Sequence, residues 1–427
     1  MAGQAEHATA AEVTDRARRQ VGGLFARGVE PGDWVAFFEP GGVDLLAAVH
    51  GCLLAGIAPV VLSPGLTSHE RSELLADLPV RVVGDLTPGP PAELGTFHRA
   101  RPVHVTSGTT GAPKAVWSGW LEEPAATTLH AEEREVWDLR ADDVHLVLAP
   151  LSHSAPLRFA LNTVLAGGEV VVLPKFDGPA AAAAIAAHHT TTTFAAPAHL
   201  QRLLERPELD LSSFRLVAHA GSPCPERVKR AALAAFPDSV VTEFYGSTEA
   251  QFTVCPPADW LAHPGSVGRA RPGRELRVRD GVVWVRVPPH ARFSYFDAPD
   301  KTAAAWDGPW FTAGDLGALD DDGYLTLHGR DGDLIISGGV NVYPAEVERA
   351  LRELPGVEDA VVFGVPDDRW GEQVCAVLAG TVTPDDVTAW AGERLAPPKR
   401  PKRVTVLTGL PRTHSGKPDR RAARDLL

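Results

Sequence analysis

The run Thr106-Ser107-Gly108-Thr109-Thr110-Gly111-Ala-Pro-Lys114 is where residue types and spacing point most directly to chemistry. Its four hydroxyls, together with backbone N–H groups in a loop kept tight by glycine and proline, can face oxyanions, and Lys114 adds a cation. By composition this is a phosphate cradle. It is not the P-loop pattern, because no Gly-Lys-Ser/Thr ends it. Taken alone, the same loop also reads as a flexible turn. A second candidate is Tyr245-Gly246-Ser-Thr248-Glu249. A carboxylate just past a strand is well placed to neutralise a metal held between phosphates. Lys417, near a basic C-terminus, is either a solvated side chain or a point cation for a reacting centre.

The first string resembles the signature loop of the adenylate-forming superfamily, which includes acyl- and aryl-CoA synthetases, the adenylation domains of peptide synthetases, and luciferases. Further strings stand in the family's order. Ala220-Gly221-Ser222-Pro223 resembles the glycine turn whose backbone lines adenine. Tyr245–Glu249 resembles Y-G-x-T-E. The resemblance implies Tyr245 and Gly246 at adenine, Thr248 at phosphate and Glu249 at Mg²⁺. Trp310-Phe-Thr-Ala-Gly-Asp315 resembles W-F-x-T-G-D, which implies that Asp315 accepts from both ribose hydroxyls. Ala313 stands where the family often has a hydroxyl residue.

Gly329-Arg330-Asp-Gly332-Asp333 resembles the hinge, with Arg330 at the ribose and glycine at a position that is often Asp or Lys. Glycine tolerates large backbone rotations there, without side-chain control of the closed state. Ser337-Gly338-Gly339 resembles the loop lining the acceptor tunnel. Pro411-Arg-Thr-His-Ser-Gly-Lys417-Pro-Asp-Arg420 resembles P-R-T-x-x-G-K-x-x-R, which implies that Lys417 reaches the carboxylate and α-phosphate. Pro150-Leu-Ser-His153 resembles the P-L-x-H of CoA ligases, whose histidine borders the acyl and acceptor channels; a satisfied loop histidine fits equally.

The resemblance implies a two-step reaction with ATP and Mg²⁺ as cofactors and coenzyme A as acceptor. An acyl carrier protein is the alternative acceptor partner, and an idle nucleotide-binding protein is the reading disfavoured by Lys417 and Glu249. Peptide-synthetase domains typically place an Asp in this segment to hold the α-ammonium; none lies in 150–160, so the resemblance disfavours an α-amino acid. Small residues Ala218, Ala220, Gly221 and Gly246 leave room for an apolar chain or ring. Arg158, if turned inward, would favour a second carboxylate, as in succinylbenzoate ligases; a surface position is the expectation.

The elements that must position these residues are legible as an alternation. Strands at 35–38, 58–62 and 80–83 are separated by helices at 43–55 and 68–77. The pattern resumes with strands at 144–149, 169–173, 191–196, 214–220 and 239–245 and helices at 179–188 and 226–236. Short apolar strands between helices predict an α/β fold of mainly parallel, helix-flanked sheets. ELRVRDGVVWVRV (275–287) and LGALDDDGYLTLHGR (316–330) predict antiparallel hairpins, hence a β-rich subdomain. The remainder predicts a small α+β domain. The expected division is 1–329 for ATP and acid, and 330–427 for a mobile domain carrying Lys417, with a charged Gly-containing linker between.

Composition agrees with a globular chain of 427 residues and 44% hydrophobic content. A net charge of −13 argues against a nucleic-acid surface. Four dispersed cysteines with no CxxC pair indicate neither a disulfide framework nor a zinc site. The polar N-terminus lacks a signal-peptide core, and the longest apolar stretch, 43–62, is too broken for a membrane span. Cytoplasmic location is the resulting expectation.

Overall fold

The computed structural model describes residues 4–106, 114–337, 340–367, 370–413 and 417–427. Strand β1 (Glu6–Ala8) leads into helix α1 (Ala10–Ala26), a helix the polar reading of this segment did not anticipate. Thr9 starts it: the hydroxyl accepts from the Glu12 N–H and the Glu12 carboxylate accepts from the Thr9 N–H, a capping box. Strand β2 (Trp34–Phe37), helix α2 (Val43–Ala55), strand β3 (Ala58–Val61), helix α3 (Ser68–Ala76) and strand β4 (Val80–Val83) follow close to the expected ranges. Strand β2 pairs in parallel with both β3 and β4. Nearly every residue of α2 is buried, which is why its sequence is apolar on all sides.

Strands β5 (His104–Thr106) and β6 (Lys114–Trp117) pair antiparallel, with Thr106 opposite Lys114. The phosphate-loop sequence therefore leaves and returns at one point. Helix α4 (Glu123–Trp137) comes next. Strand β7 (Val144–Val147), helix α5 (Ser154–Leu165), strand β8 (Glu169–Val172), helix α6 (Gly178–His188) and strand β9 (Thr192–Ala195) continue the alternation. Helix α7 (Pro197–Leu204), strand β10 (Leu216–His219), helix α8 (Glu226–Ala235) and strand β11 (Val241–Glu243) complete it.

The large sheet runs β1-β8-β7-β9-β10-β11, parallel except at β1, which is antiparallel to β8. Strands β9 and β10 are buried along their whole length, as a sheet covered on both faces demands. The sequence thus forms separate helix-flanked sheets, as expected, with an antiparallel edge added. The loops carrying His153, Gly221 and Tyr245 leave the carboxyl ends of β7, β10 and β11, the side on which ligands bind in open parallel sheets.

The two expected hairpins, Glu275–Arg279 with Val282–Arg286 and Asp315–Leu319 with Leu325–Arg330, join in one antiparallel sheet. Beyond it, Ile335–Ser337, Val340–Val342, Val357–Asp367, Gly371–Gly380 and Arg403–Leu407 make a five-stranded sheet. Helices Pro344–Arg352 and Pro384–Arg394 cover it around Val347, Leu351, Ala376, Leu378 and Val387. Among the described residues, no helix is long and apolar enough to cross a membrane.

Candidate active site

Antiparallel register brings the first pair of site residues together. Asp315 opens its strand and lies opposite Arg330, the last residue of the partner strand. Arg330 Nε donates to Asp315 Oδ1 at 3.1 Å. The other carboxylate oxygen accepts from the hydroxyl of Tyr245, whose ring packs on Phe252 with centroids 4.7 Å apart. Burial and the Asp315 charge push the Tyr245 phenol well above its ordinary value, so it stays a donor. Both oxygens of Asp315 can thus exchange these protein donors for two vicinal hydroxyls.

The turn after Tyr245 is shaped by Gly246, which bridges to Gln251. A Cβ at 246 would sit 2.7 Å from the Ala250 carbonyl oxygen, so glycine is needed for this close approach. The turn delivers Thr248 and the buried Glu249. Arg101, from the segment before β5, holds the turn from behind: its Nη2 donates to the Glu249 carbonyl at 3.0 Å and to that of Thr248 at 3.5 Å. Glu249 Oε1 accepts from Tyr295 Oη at 2.8 Å. Lys114 Nζ lies 4.9 Å from the centroid of the same tyrosine ring. Tyr295 sits in a strand paired with β6, opposite Val116, and so touches both ends of the candidate phosphate site. Sequence reasoning missed it; in Arg-Phe-Ser-Tyr-Phe it reads as one more core aromatic.

One protein carboxylate beside phosphates is an ordinary setting for Mg²⁺, which keeps waters and substrate oxygens as its other ligands. Glu249 therefore fits that ion. Gly221, Ser222 and Pro223 form an exposed turn at the end of β10. His153 occupies the N-cap position of α5. His104 and His199 lie near it: burial, then Arg101 and His153, push His104 down to about 3, and burial, then Arg202 and His153, push His199 down to about 4. Ser107, Gly108, Thr109, Thr110, Gly111, Gly338 and Gly339 lie outside the described residues, as does the side chain of Thr106.

The C-terminal region brings Lys417 within electrostatic reach of Arg330, Asp315 and Glu249. A bridge between Arg412 and Pro418 and a bond from the Thr413 N–H to the Lys417 carbonyl, at 2.8 Å, set the position of Lys417. Its side chain keeps solvent contact, yet its ammonium is crowded enough by protein to fall below the ordinary lysine value. Arg330 lowers it further, and Asp315 and Glu249 oppose the shift. The retained exposure limits the size of the effect. Gly332 lies in an exposed turn, Asp331–Asp333.

Arg158 is a correction. The surface position expected for it is not found: it projects from α5 into a cavity, with its Nε 3.4 Å from Glu133. The periodicity of α5 was hidden because its polar residues, Arg158 and Asn162, line that interior space. The four cysteines are all unpaired.

A carboxylate shared by Tyr245 and Arg330, a buried glutamate beside a lysine-bearing hairpin, and a second lysine in the segment after the C-terminal sheet fit one class: ATP-dependent, AMP-forming acid–thiol ligases that work through an acyl-adenylate. The chain belongs to the AMP-binding enzyme family, whose model matches residues 1–93 and 102–291, while the AMP-binding enzyme C-terminal domain matches 346–417.

Among its relatives, a 2-succinylbenzoate–CoA ligase from Bacillus cereus is 30% identical over 94% of this chain and 89% of its own length. A long-chain-fatty-acid–CoA ligase, FadD13, from Mycobacterium tuberculosis is 29% identical over 96% and 91%. Among solved structures, the o-succinylbenzoate coenzyme A synthetase MenE of Bacillus subtilis, in complex with ATP and magnesium ion, superposes with a TM-score of 0.86. It is 29% identical and the match covers 97% of this chain and 94% of that one. Two of these names carry succinylbenzoate and one a long-chain fatty acid.

Proposed function

We propose that the reaction is divided between the two parts of the chain, at about 329/330, in the following way. ATP lies with its phosphates in the loop Thr106–Lys114, its adenine between the Gly221–Pro223 turn and Tyr245, and its ribose on Asp315 and Arg330. Glu249 would hold Mg²⁺, which supplies charge neutralisation on phosphate oxygens when bound. The acid's carboxylate is already ionised at neutral pH, so no general base is needed. It attacks the α-phosphorus in line, and pyrophosphate leaves. Thr248 and Lys417 offset charge as the five-coordinate centre forms. Catalysis here is positioning plus charge stabilisation.

In the second half, rotation about Gly332 withdraws Lys417. Gly338 and Gly339 then approach the site, and His153 borders the channel through which a thiol attacks the mixed anhydride. Coenzyme A is the proposed thiol, and the location is the cytoplasm, which fits four unpaired cysteines.

The observation that carries this reading is that Asp315 accepts from Arg330 at 3.1 Å and from the hydroxyl of Tyr245, 70 residues away in sequence, so that the ends of three separate strands meet at one carboxylate. The test is pyrophosphate release from ATP and Mg²⁺ with a broad panel of carboxylic acids, with and without coenzyme A. The expected result is acid-dependent release and a coenzyme A thioester. Release with no acid in the panel would overturn the ligase reading. An adenylate trapped by hydroxylamine but never passed to coenzyme A would move the acceptor to a carrier protein.

A further inference from the structure

A cavity of about 280 Å³ lies between α4, α5, the segment before β5 and the turn after Tyr245. It touches the site already described: Glu249 and Ser154, the neighbour of His153, are in its wall. Much of the wall is apolar, with Leu129, Leu161 and Val287 among its residues. The polar part is unusual for a buried space. Arg101, Arg158, Arg271 and Arg274 all line it, with Glu133 and Glu249 as the acidic residues of the wall.

Those carboxylates are largely committed. Glu133 takes Arg271 at 2.6 Å and stands 3.4 Å from Arg158, so one anion serves two cations. Glu249 accepts from Tyr295. Glu132, behind the wall, takes Arg274 at 3.0 Å and His290 at 2.6 Å. What remains is a surplus of donors. Nη2 of Arg158, Nε of Arg271 and Nε2 of Gln251 are buried with neither a hydrogen-bond acceptor nor an ion-pair partner, while Nε of Arg158 and Nη2 of Arg271 have only Glu133 at 3.4 Å and Glu132 at 4.0 Å. Arg271 is only 2% exposed and Gln251 5%. Buried donors of this kind are nearly always satisfied in native proteins, and buried guanidinium charge calls for an anion. Donors of this kind around one space suit an acceptor-rich, negatively charged guest.

We propose that the acid activated by this protein carries a second anionic group, a carboxylate, which Arg158, Arg271 and Gln251 bind inside this cavity while the reacting carboxylate stays at its mouth near Glu249. The inference rests on the ligase reading and adds the substrate class: a compact dicarboxylate with an apolar or aromatic body. The volume sits at the small end for a ligand site, about 300 Å³, which disfavours a long acyl chain. Because the buried end is fixed by two guanidiniums, only the carboxylate at the mouth is adenylated.

The test compares matched acids with the full-length protein: adipate against hexanoate, and carboxyphenylpropanoate against phenylpropanoate, each by pyrophosphate release with ATP and Mg²⁺. The expected kcat/KM favours the dicarboxylate by roughly a hundredfold, since a site with buried donors rejects an analogue that leaves them unpaired. In Arg158→Met that preference should fall by about tenfold or more, chiefly through KM. If this variant does not fold, Gln251→Leu and the wild-type ratios carry the test. Monocarboxylates turned over as well as their dicarboxylate partners, or a ratio untouched in both variants, would overturn the inference and leave the ligase reading standing. Failure of every acid to release pyrophosphate would instead overturn the ligase reading, and the substrate class with it.

Discussion

The phenol of Tyr295 donates to Glu249 at 2.8 Å, and the same ring lies beneath the Lys114 ammonium. One aromatic residue therefore ties the candidate metal ligand to the candidate phosphate cation. Removing the hydroxyl leaves a buried carboxylate without its donor, a loss of about 1.5–3 kcal/mol for a bond to a charged group. Tyr295→Phe should therefore raise the Mg²⁺ concentration needed for half-maximal pyrophosphate release and lower kcat/KM for ATP by roughly tenfold to a hundredfold. A Mg²⁺ titration of both proteins checks this. An unchanged Mg²⁺ dependence would detach Tyr295 from the metal site.

Gly332 occupies an exposed turn in which an added Cβ would meet nothing within 4 Å. The folded form shown here thus does not require glycine at this position. A requirement, if present, belongs to a different backbone conformation. Gly332→Pro should keep acid adenylation within about threefold while slowing thioester formation tenfold or more, because proline fixes φ. Single-turnover measurement of the two half-reactions separates these effects. Equal slowing of both halves would place the pivot elsewhere.

Much of this architecture was legible in the sequence because its signals are local. Buried strands such as Trp34–Phe37 read as short apolar runs, and Asp-Gly marked the turn between Glu275–Arg279 and Val282–Arg286. Helix α1 was missed although Thr9 and Glu12 carry a capping-box signature, since its apolar face is diluted by arginines. The meeting of Asp315 with Arg330 and Tyr245 depends on strand register and on a contact 70 residues apart, which no local pattern encodes. Arg158 was misplaced for a related reason. A charged residue is expected outside unless a buried partner is known, and its partner, Glu133, lies on another helix.

Acid stability should be limited by buried histidines. Burial alone holds His50 down to about 4, and burial holds His145 down to about 4, with Asp143 opposing. His98 and His219 are also depressed, first by burial and then by neighbouring cations or imidazoles. The unfolded chain protonates these groups near 6.5. Below that pH the unfolded state binds protons that the folded state refuses, so stability is full above 6.5 and lost as pH falls toward the folded values. Each group contributes up to about 1.4 kcal/mol per pH unit in this window. Urea midpoints should therefore fall steeply from about pH 7 to about pH 5. A flat profile there would mean that these imidazoles are protonated in the folded protein.

Lys417 offers the sharpest division between the two halves of the reaction. Burial and the Arg330 charge disfavour its ammonium, while Asp315 and Glu249 oppose that effect. A cation only partly offset in this way suits a group that makes its strongest interaction with the reacting carboxylate and α-phosphate. Lys417→Ala should lower acid-dependent pyrophosphate release by about 10²–10³-fold, the usual loss when one preorganised charge-stabilising group is removed. It should leave thioester formation from supplied acyl-adenylate within about threefold of the parent if the proposed rotation withdraws the lysine in that half. Parallel losses in both assays would show that Lys417 supports the fold or the nucleotide throughout. Normal adenylation by the variant would remove it from the reaction and leave charge stabilisation at the α-phosphate to Thr248 and the loop Thr106–Lys114.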